Sequence, residues 1–286
     1  MQAVRSWSAR LWEWSTGEVV ADEYRPIRYA VGLGGALSFA TWSWGAGPGR
    51  ALGVSYVNAL DTGVLTWWLI LGLGFGASMM MIGNRGGRPA AAVVFLGIQA
   101  CGGFMVNWAG LALQLSAAAL VFAKSNGPAS AWPKRILEVQ LPLGYLVAVG
   151  AKLSIGDEWR RLHAFDHLLA HPLNRHTWPQ IPSGLSRVFD VIGMGLELGA
   201  GLLLLGALLT GRRLLRRLGL GCSVLLHVGI SMFIPVGLFV FGVAPFWAAH
   251  LRRAAVPRSL VWVGWVLGLI TAIVALWVPS NPFRVL

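Results

Sequence analysis

Apolar residues in this chain come in long runs, not at the two-residue period of a half-buried strand. Nine segments are almost uninterruptedly apolar: residues 27–44, 65–82, 90–106, 109–123, 136–153, 188–209, 218–233, 235–250 and 259–278. A helix rises about 1.5 Å per residue, so crossing a hydrocarbon layer of roughly 30 Å takes about 20 apolar residues. Asn107-Trp108 divides the long run 90–123, and Pro235 divides the run 218–250. The pattern predicts an all-α, polytopic helical membrane protein with about nine transmembrane helices. Residues 1–26 are expected to form an N-terminal interfacial segment, with Trp7, Leu11 and Trp14 at helical spacing; a disordered tail is the alternative. Their acids and the lack of an apolar core argue against a cleavable signal. Residues 27–278 then make the transmembrane domain, with an extracytoplasmic amphipathic loop at 154–187, and residues 279–286 make a C-terminal tail.

Composition agrees with that pattern. Of 286 residues, 56% are hydrophobic and 12% charged, where soluble domains average about 25% charged. A soluble enzyme, a coiled coil and a disordered chain are excluded. The net charge is +12, from 23 Lys and Arg against 11 Asp and Glu. In a soluble protein that excess would suggest nucleic acid; in a membrane protein it measures the bias of basic residues toward the cytoplasm. With nine spans and a cytoplasmic N-terminus, six basic residues fall outside: Arg50, Arg160, Arg161, Arg175, Arg187 and Arg284. Lys152 falls within a span, and the remaining 16 fall inside. Joining 218–250 into one span weakens the split to 14 against 8. The expected location is the plasma (inner) membrane, N-terminus cytoplasmic and C-terminus extracytoplasmic. Membrane lipid is the expected partner, not nucleic acid. Cys101 and Cys222 lie in apolar runs and make no disulfide framework.

Ionisable residues inside apolar spans are costly and are therefore candidates for function. Glu138 and Lys152 fall in the fifth span, Asp190 and Glu197 in the sixth, and His227 in the seventh. The predicted topology carries Lys152, Asp190, Glu197, His227 and Asn107 toward the outer leaflet, as one outward-opening cavity requires. Each also has a plainer use. Lys152 can snorkel, Asp190 can cap the outer end of its helix, Glu138 can sit in the inner headgroup region, and His227 can bond a carbonyl. Glu197 lies too deep to snorkel and needs a partner or a proton. A lysine in a low-dielectric cavity loses its preference for the charged form and becomes a general base. A carboxylate paired directly with it would oppose that and indicate a structural role.

The fifth span and its exit read VQLPLGYLVAVGAKLSIGDEW, with Gln140, Tyr145, Ala148, Lys152, Leu153 and Trp159. Together with Glu197-Leu198-Gly199 and with Leu226-His227 followed by Gly229-Ile230, this resembles the vitamin-K-dependent gamma-carboxylase-like membrane family, also called HTTM proteins. The three elements keep the family's order across residues 136–245. The resemblance implies a helical membrane fold with an extracytoplasmic cavity. It also implies that Lys152 is the base that deprotonates a reduced quinone, with His227 and Glu197 tuning it. Asn107, Tyr145 and Asp190 are then cavity candidates. Two departures stand out: Asn107 is followed by Trp108, where the carboxylases have a histidine, and 286 residues leave no room for their large lumenal domain. In size the chain is similar to shorter bacterial relatives that help mature secreted toxin peptides of the sporulation-delaying type.

The loop 154–187 holds His163, His167, His171 and His176. Residues 158–170 are predicted as an amphipathic surface helix ended by Pro172, with His163, His167 and His171 on one face. A histidine pair four residues apart can hold two positions of a metal, with Asp166 or His176 as a third; a histidine-rich surface or a proton relay needs no metal. The cluster Arg212, Arg213, Arg216 and Arg217 is expected to fix topology and touch anionic lipid. The glycine run GLGFG at 72–76 suits close helix packing.

Three functions follow as expectations. The first is a carboxylase-like enzyme or maturation factor with Lys152 as base. It would act on a secreted peptide with a reduced quinone and companion maturation proteins. The second is a non-catalytic membrane scaffold or peptide chaperone. The third is a small proton-coupled transporter using Glu197 and His227, which the absence of a visible repeat disfavours.

Overall fold

The computed structural model describes residues 7–45, 64–101, 108–124, 126–170, 182–233, 239–251 and 256–277. The described residues are all-α apart from one short ladder. In order it forms α1 (Trp7–Thr16), β1 (Glu18–Val20), a 3₁₀ turn (Ala21–Tyr24), α2 (Arg25–Gly45), α3 (Val64–Ile82), α4 (Gly87–Ala100) and α5 (Trp108–Phe122). These are followed by β2 (Pro128–Ser130), α6 (Trp132–Ser154), α7 (Asp157–Arg160), α8 (Ala164–Ala170), α9 (Ser183–Thr210), α10 (Arg213–Phe233), α11 (Phe239–Ala249) and α12 (Arg258–Trp277). Among the described residues, each of the nine predicted apolar segments contains one helix: α2 to α6 and α9 to α12. Two of these, α6 and α9, are long and apolar enough to cross a membrane. The proposed breaks at Asn107 and Pro235 lie outside the described residues.

Two compact units divide the chain, residues 1–137 with 241–284, and residues 138–240 with 285–286. In the first, α2 packs against α3, α5 and α12, and α4 joins α3 to α5. Small residues set these approaches. A Cβ on Gly32 would stand 2.7 Å from the Ser78 carbonyl oxygen and 2.8 Å from the Ile82 nitrogen, so α2 and α3 meet backbone to backbone. The Phe39 ring fills the slot left by Gly74 and Gly97; a Cβ on either would come within 2.5 and 2.7 Å of it, respectively. In the GLGFG run only Gly74 makes such a contact, and Gly72 and Gly76 face open space. Gln114 donates to Gln99 across α4 and α5.

One end of this unit is closed by the ladder. β1 pairs antiparallel with β2, Val19 opposite Ala129. The Tyr24 hydroxyl, fully buried, donates to the Ser130 carbonyl at 2.6 Å. Lys134 bonds Glu23 Oε2 at 2.6 Å, and the Arg28 guanidinium donates to the Lys124 carbonyl at 2.8 Å. Lys134, one of the basic residues assigned to the cytoplasmic side, is a buried ion-pair member. Arg135 lies over the ring of Trp14 at 4.9 Å. The side chains of Trp7 and Leu11 lie outside the described residues.

In the second unit α9 packs along α10, and α8 packs on α9. A Cβ on Gly219 of α10 would stand 2.8 Å from Leu204 Cγ and 3.0 Å from the Leu204 nitrogen. A Cβ on Gly201 would press Leu146 of α6 at 2.9 Å. The predicted single helix at 158–170 is broken into α7 and α8. Leu162 takes a left-handed φ of 57° between them, a conformation that ends a helix.

Candidate functional site

The second unit gathers the polar residues of three helices. Tyr145 and Lys152 are seven residues apart on α6, which returns them to one face about two turns apart. Asp190 and Glu197 repeat the same spacing on α9. Ser223 and His227 are four apart on α10. All six lie inward, while Leu143, Val147, Val191, Ile192, Leu198, Leu202 and Leu225 point outward and are exposed.

Lys152 Nζ donates to Glu197 Oε2 at 2.5 Å. The lysine side chain is 25% exposed and the glutamate 8%. The ammonium also faces the Trp159 indole, 4.3 Å from the ring centroid. Gly156 builds the turn that makes this possible. A Cβ there would come within 2.9 Å of the Lys152 carbonyl oxygen and 3.0 Å of Trp159 Cδ1. This direct, charge-assisted contact ties α6 to α9.

A second polar set joins α6 to α10. The Tyr145 hydroxyl is 2.5 Å from Ser223 Oγ and 3.4 Å from His227 Nδ1. His227 Nδ1 lies 2.8 Å from the Ser223 carbonyl oxygen. A carbonyl can only accept, so Nδ1 carries the proton and the ring is held in that tautomer. All three side chains are buried. A Cβ on Gly199 would meet Cys222 Sγ at 3.6 Å.

Asp190 does not cap its own helix. α9 starts at Ser183, five residues before the predicted span, with Pro182 before it. The Asp190 carboxylate instead accepts the Phe165 N–H at 2.9 Å and pins the start of α8. Phe165 adds a ring contact to Phe189 at 4.9 Å. Glu138 is buried within α6. Asn107, His171 and His176 lie outside the described residues.

His163 and His167 flank the start of α8, and His163 Nδ1 stands 3.5 Å from Asp166 Oδ2. Among the described residues no group of three His, Cys, Asp or Glu converges on one point. Ser223 was not singled out in the sequence, because a serine in an apolar helix is commonplace. Only its spacing of four before His227 distinguishes it. Trp159 belongs to the motif that closes the fifth span, and its contact with Lys152 supplies a physical reason for the spacing. No family model, no curated protein and no solved structure matches the chain.

Proposed function

We propose that the chain is an integral membrane protein that binds and escorts a secreted peptide from a polar layer opening to the extracytoplasmic side. Its nine apolar helices would cross the plasma (inner) membrane, with the N-terminus cytoplasmic and the C-terminus extracytoplasmic. The distribution of residues on α9 supports membrane embedding. Ser186, Asp190 and Glu197 face inward, whereas Leu198, Leu202 and Leu209 face out. That arrangement reverses a water-soluble helix and suits a hydrocarbon surround. Of the 23 basic residues, 16 fall on the cytoplasmic side when nine spans start from a cytoplasmic N-terminus, and that bias supports the orientation. The peptide assignment rests on the resemblance to short HTTM-type maturation proteins. The observation that carries a binding role over lysine-base catalysis is the 2.5 Å contact between Lys152 and Glu197.

A second reading is favoured by the Tyr145–Ser223–His227 set. A buried tyrosine, serine and oriented imidazole can position a polar headgroup, such as that of a reduced quinone, beside a lysine that is still partly accessible. In that reading Lys152 must give up its proton, and the chain is a carboxylase-like enzyme. One experiment separates the two. Lys152→Arg keeps the charge and the ion pair but removes a usable base. In cells producing a secreted peptide encoded beside this gene, the binding role predicts that Lys152→Arg sustains peptide maturation while Glu197→Gln lowers both protein level and maturation. Loss of a carboxyl-group mass gain on the peptide in Lys152→Arg, at normal protein level, would overturn the binding role in favour of catalysis.

A further inference from the structure

Glu197 and Trp159 together make a cation cage, and the Lys152 side chain sits in it. A carboxylate and an indole face both attract an ammonium, the first by a charge-assisted hydrogen bond and the second through the ring quadrupole. The two walls are fixed. Glu197 projects from the middle of the 28-residue α9 and is buried. Trp159 is folded back by the Gly156 turn, where a side chain would collide with both the indole and the Lys152 backbone.

The occupant is the mobile member. Lys152 lies in the last turn of α6, on a four-carbon stem, and is a quarter exposed. Residues just beyond it, Leu153, Ser154 and Ile155, are exposed. The helix C-terminus also favours a cation outside the cage. Lys152 can therefore swing to water or headgroups while Glu197 stays buried. Once vacated, a buried carboxylate beneath an indole demands another cation.

We infer that Glu197 and Trp159 form a binding site for a primary ammonium group. Lys152 fills it at rest, and the lysine amine of a peptide displaces Lys152. The cage stands on geometry alone; assigning its ligand to a peptide rests on the function proposed above. Displacement exchanges one ammonium for another at Glu197, so no bond is made or broken and charge is conserved.

The test uses the full-length protein in detergent micelles and thermal unfolding as the readout. Lys152→Ala vacates the cage, and n-butylammonium replaces the missing stem and amine. The unfolding midpoint of Lys152→Ala should rise saturably with n-butylammonium, at concentrations at least tenfold below any needed for the wild type. Butanol should not reproduce the rise. Adding Glu197→Gln should abolish it, and adding Trp159→Ala should weaken it several-fold. Where Lys152→Ala does not fold, Lys152→Met with methylammonium keeps the stem and asks the same question. No saturable rise, or an equal rise with Glu197→Gln present, overturns the cage.

A second arm addresses the ligand. A hydrophobic peptide bearing one lysine should bind the wild type, and its Nε-acetyl form should bind at least tenfold more weakly. Rescue by small amines with no difference between the two peptides leaves the cage standing and refutes the peptide assignment.

Discussion

Breaking the Lys152–Glu197 pair from its two sides should have unequal costs, and the inequality follows from exposure. At 2.5 Å and an effective dielectric of about 20, the gross attraction is roughly 7 kcal/mol. Desolvation of both groups offsets much of it, so removing one partner of a buried pair typically costs about 3–5 kcal/mol. Lys152→Met strands the carboxylate of Glu197, which is 8% exposed and on a mid-helix position. It should cost about 3 kcal/mol. Glu197→Leu strands Lys152, which is near a helix end and 25% exposed. A freed ammonium there snorkels, and the cost should fall to about 1 kcal/mol. The double variant should be more stable than Lys152→Met alone, with a coupling of about 2 kcal/mol. Equilibrium unfolding in mixed micelles by SDS titration measures all three. Equal costs, or a larger cost for Glu197→Leu, would refute the assignment of the glutamate as the trapped member.

Other substitutions test the rest of the fold. Gly32→Leu should prevent α2 and α3 from meeting, because even a Cβ collides with backbone atoms of Ser78 and Ile82; folded yield in detergent should drop severely, whereas Gly72→Leu, in open space, should be tolerated. Burial pushes the Tyr24 phenol up from 10.0 to about 12. Its neutral form is thus favoured in the folded state, a stabilisation present below pH 10 and lost as pH rises toward 12. Alkaline unfolding over that window should be shallower in Tyr24→Phe than in the wild type. Asp190→Ala should free the Phe165 N–H and speed hydrogen exchange across Ala164–Ala170 by at least tenfold, leaving exchange in α10 unchanged.

The helices were largely legible because a run of apolar residues near 20 long has few other solutions. Their ends were less so. α6 begins at Trp132 and α9 at Ser183, because Lys134, Arg135 and Arg187 continue a helix as readily as leucine does. Hydropathy marks where apolar sequence stops, not where hydrogen bonding stops. The break at Leu162 was hidden for a related reason: nothing in DEWRRLHAFDH announces a left-handed residue. The Glu23–Lys134 pair joins positions 111 apart, beyond any local rule. Lys152, Glu197 and His227 were legible as ionisable residues in apolar runs. That Lys152 and Glu197 touch was not, because they lie 45 positions apart on different helices.

The spacing within each helix carries more than the apolar average suggests. On α9 the buried positions are Ser186, Asp190, Glu197, Ala200, Gly201, Leu204 and Ala207. Apart from the adjacent Ala200 and Gly201, neighbouring members fall three, four or seven residues apart, so they trace one stripe, polar toward the start and mostly small toward the end. The small half lets α6 and α10 approach, through Gly201 against Leu146 and through Leu204 against Gly219. The polar half is held open to side chains, and there Lys152 and the α8 backbone reach in. Tyr145 and Lys152 on α6, and Ser223 and His227 on α10, repeat the device at spacings of seven and four. Packing and chemistry therefore share one face on each helix and divide it by height. A substitution in the small half should cost folding, and one in the polar half should cost binding with less effect on folding, except at Lys152, whose loss strands the buried Glu197.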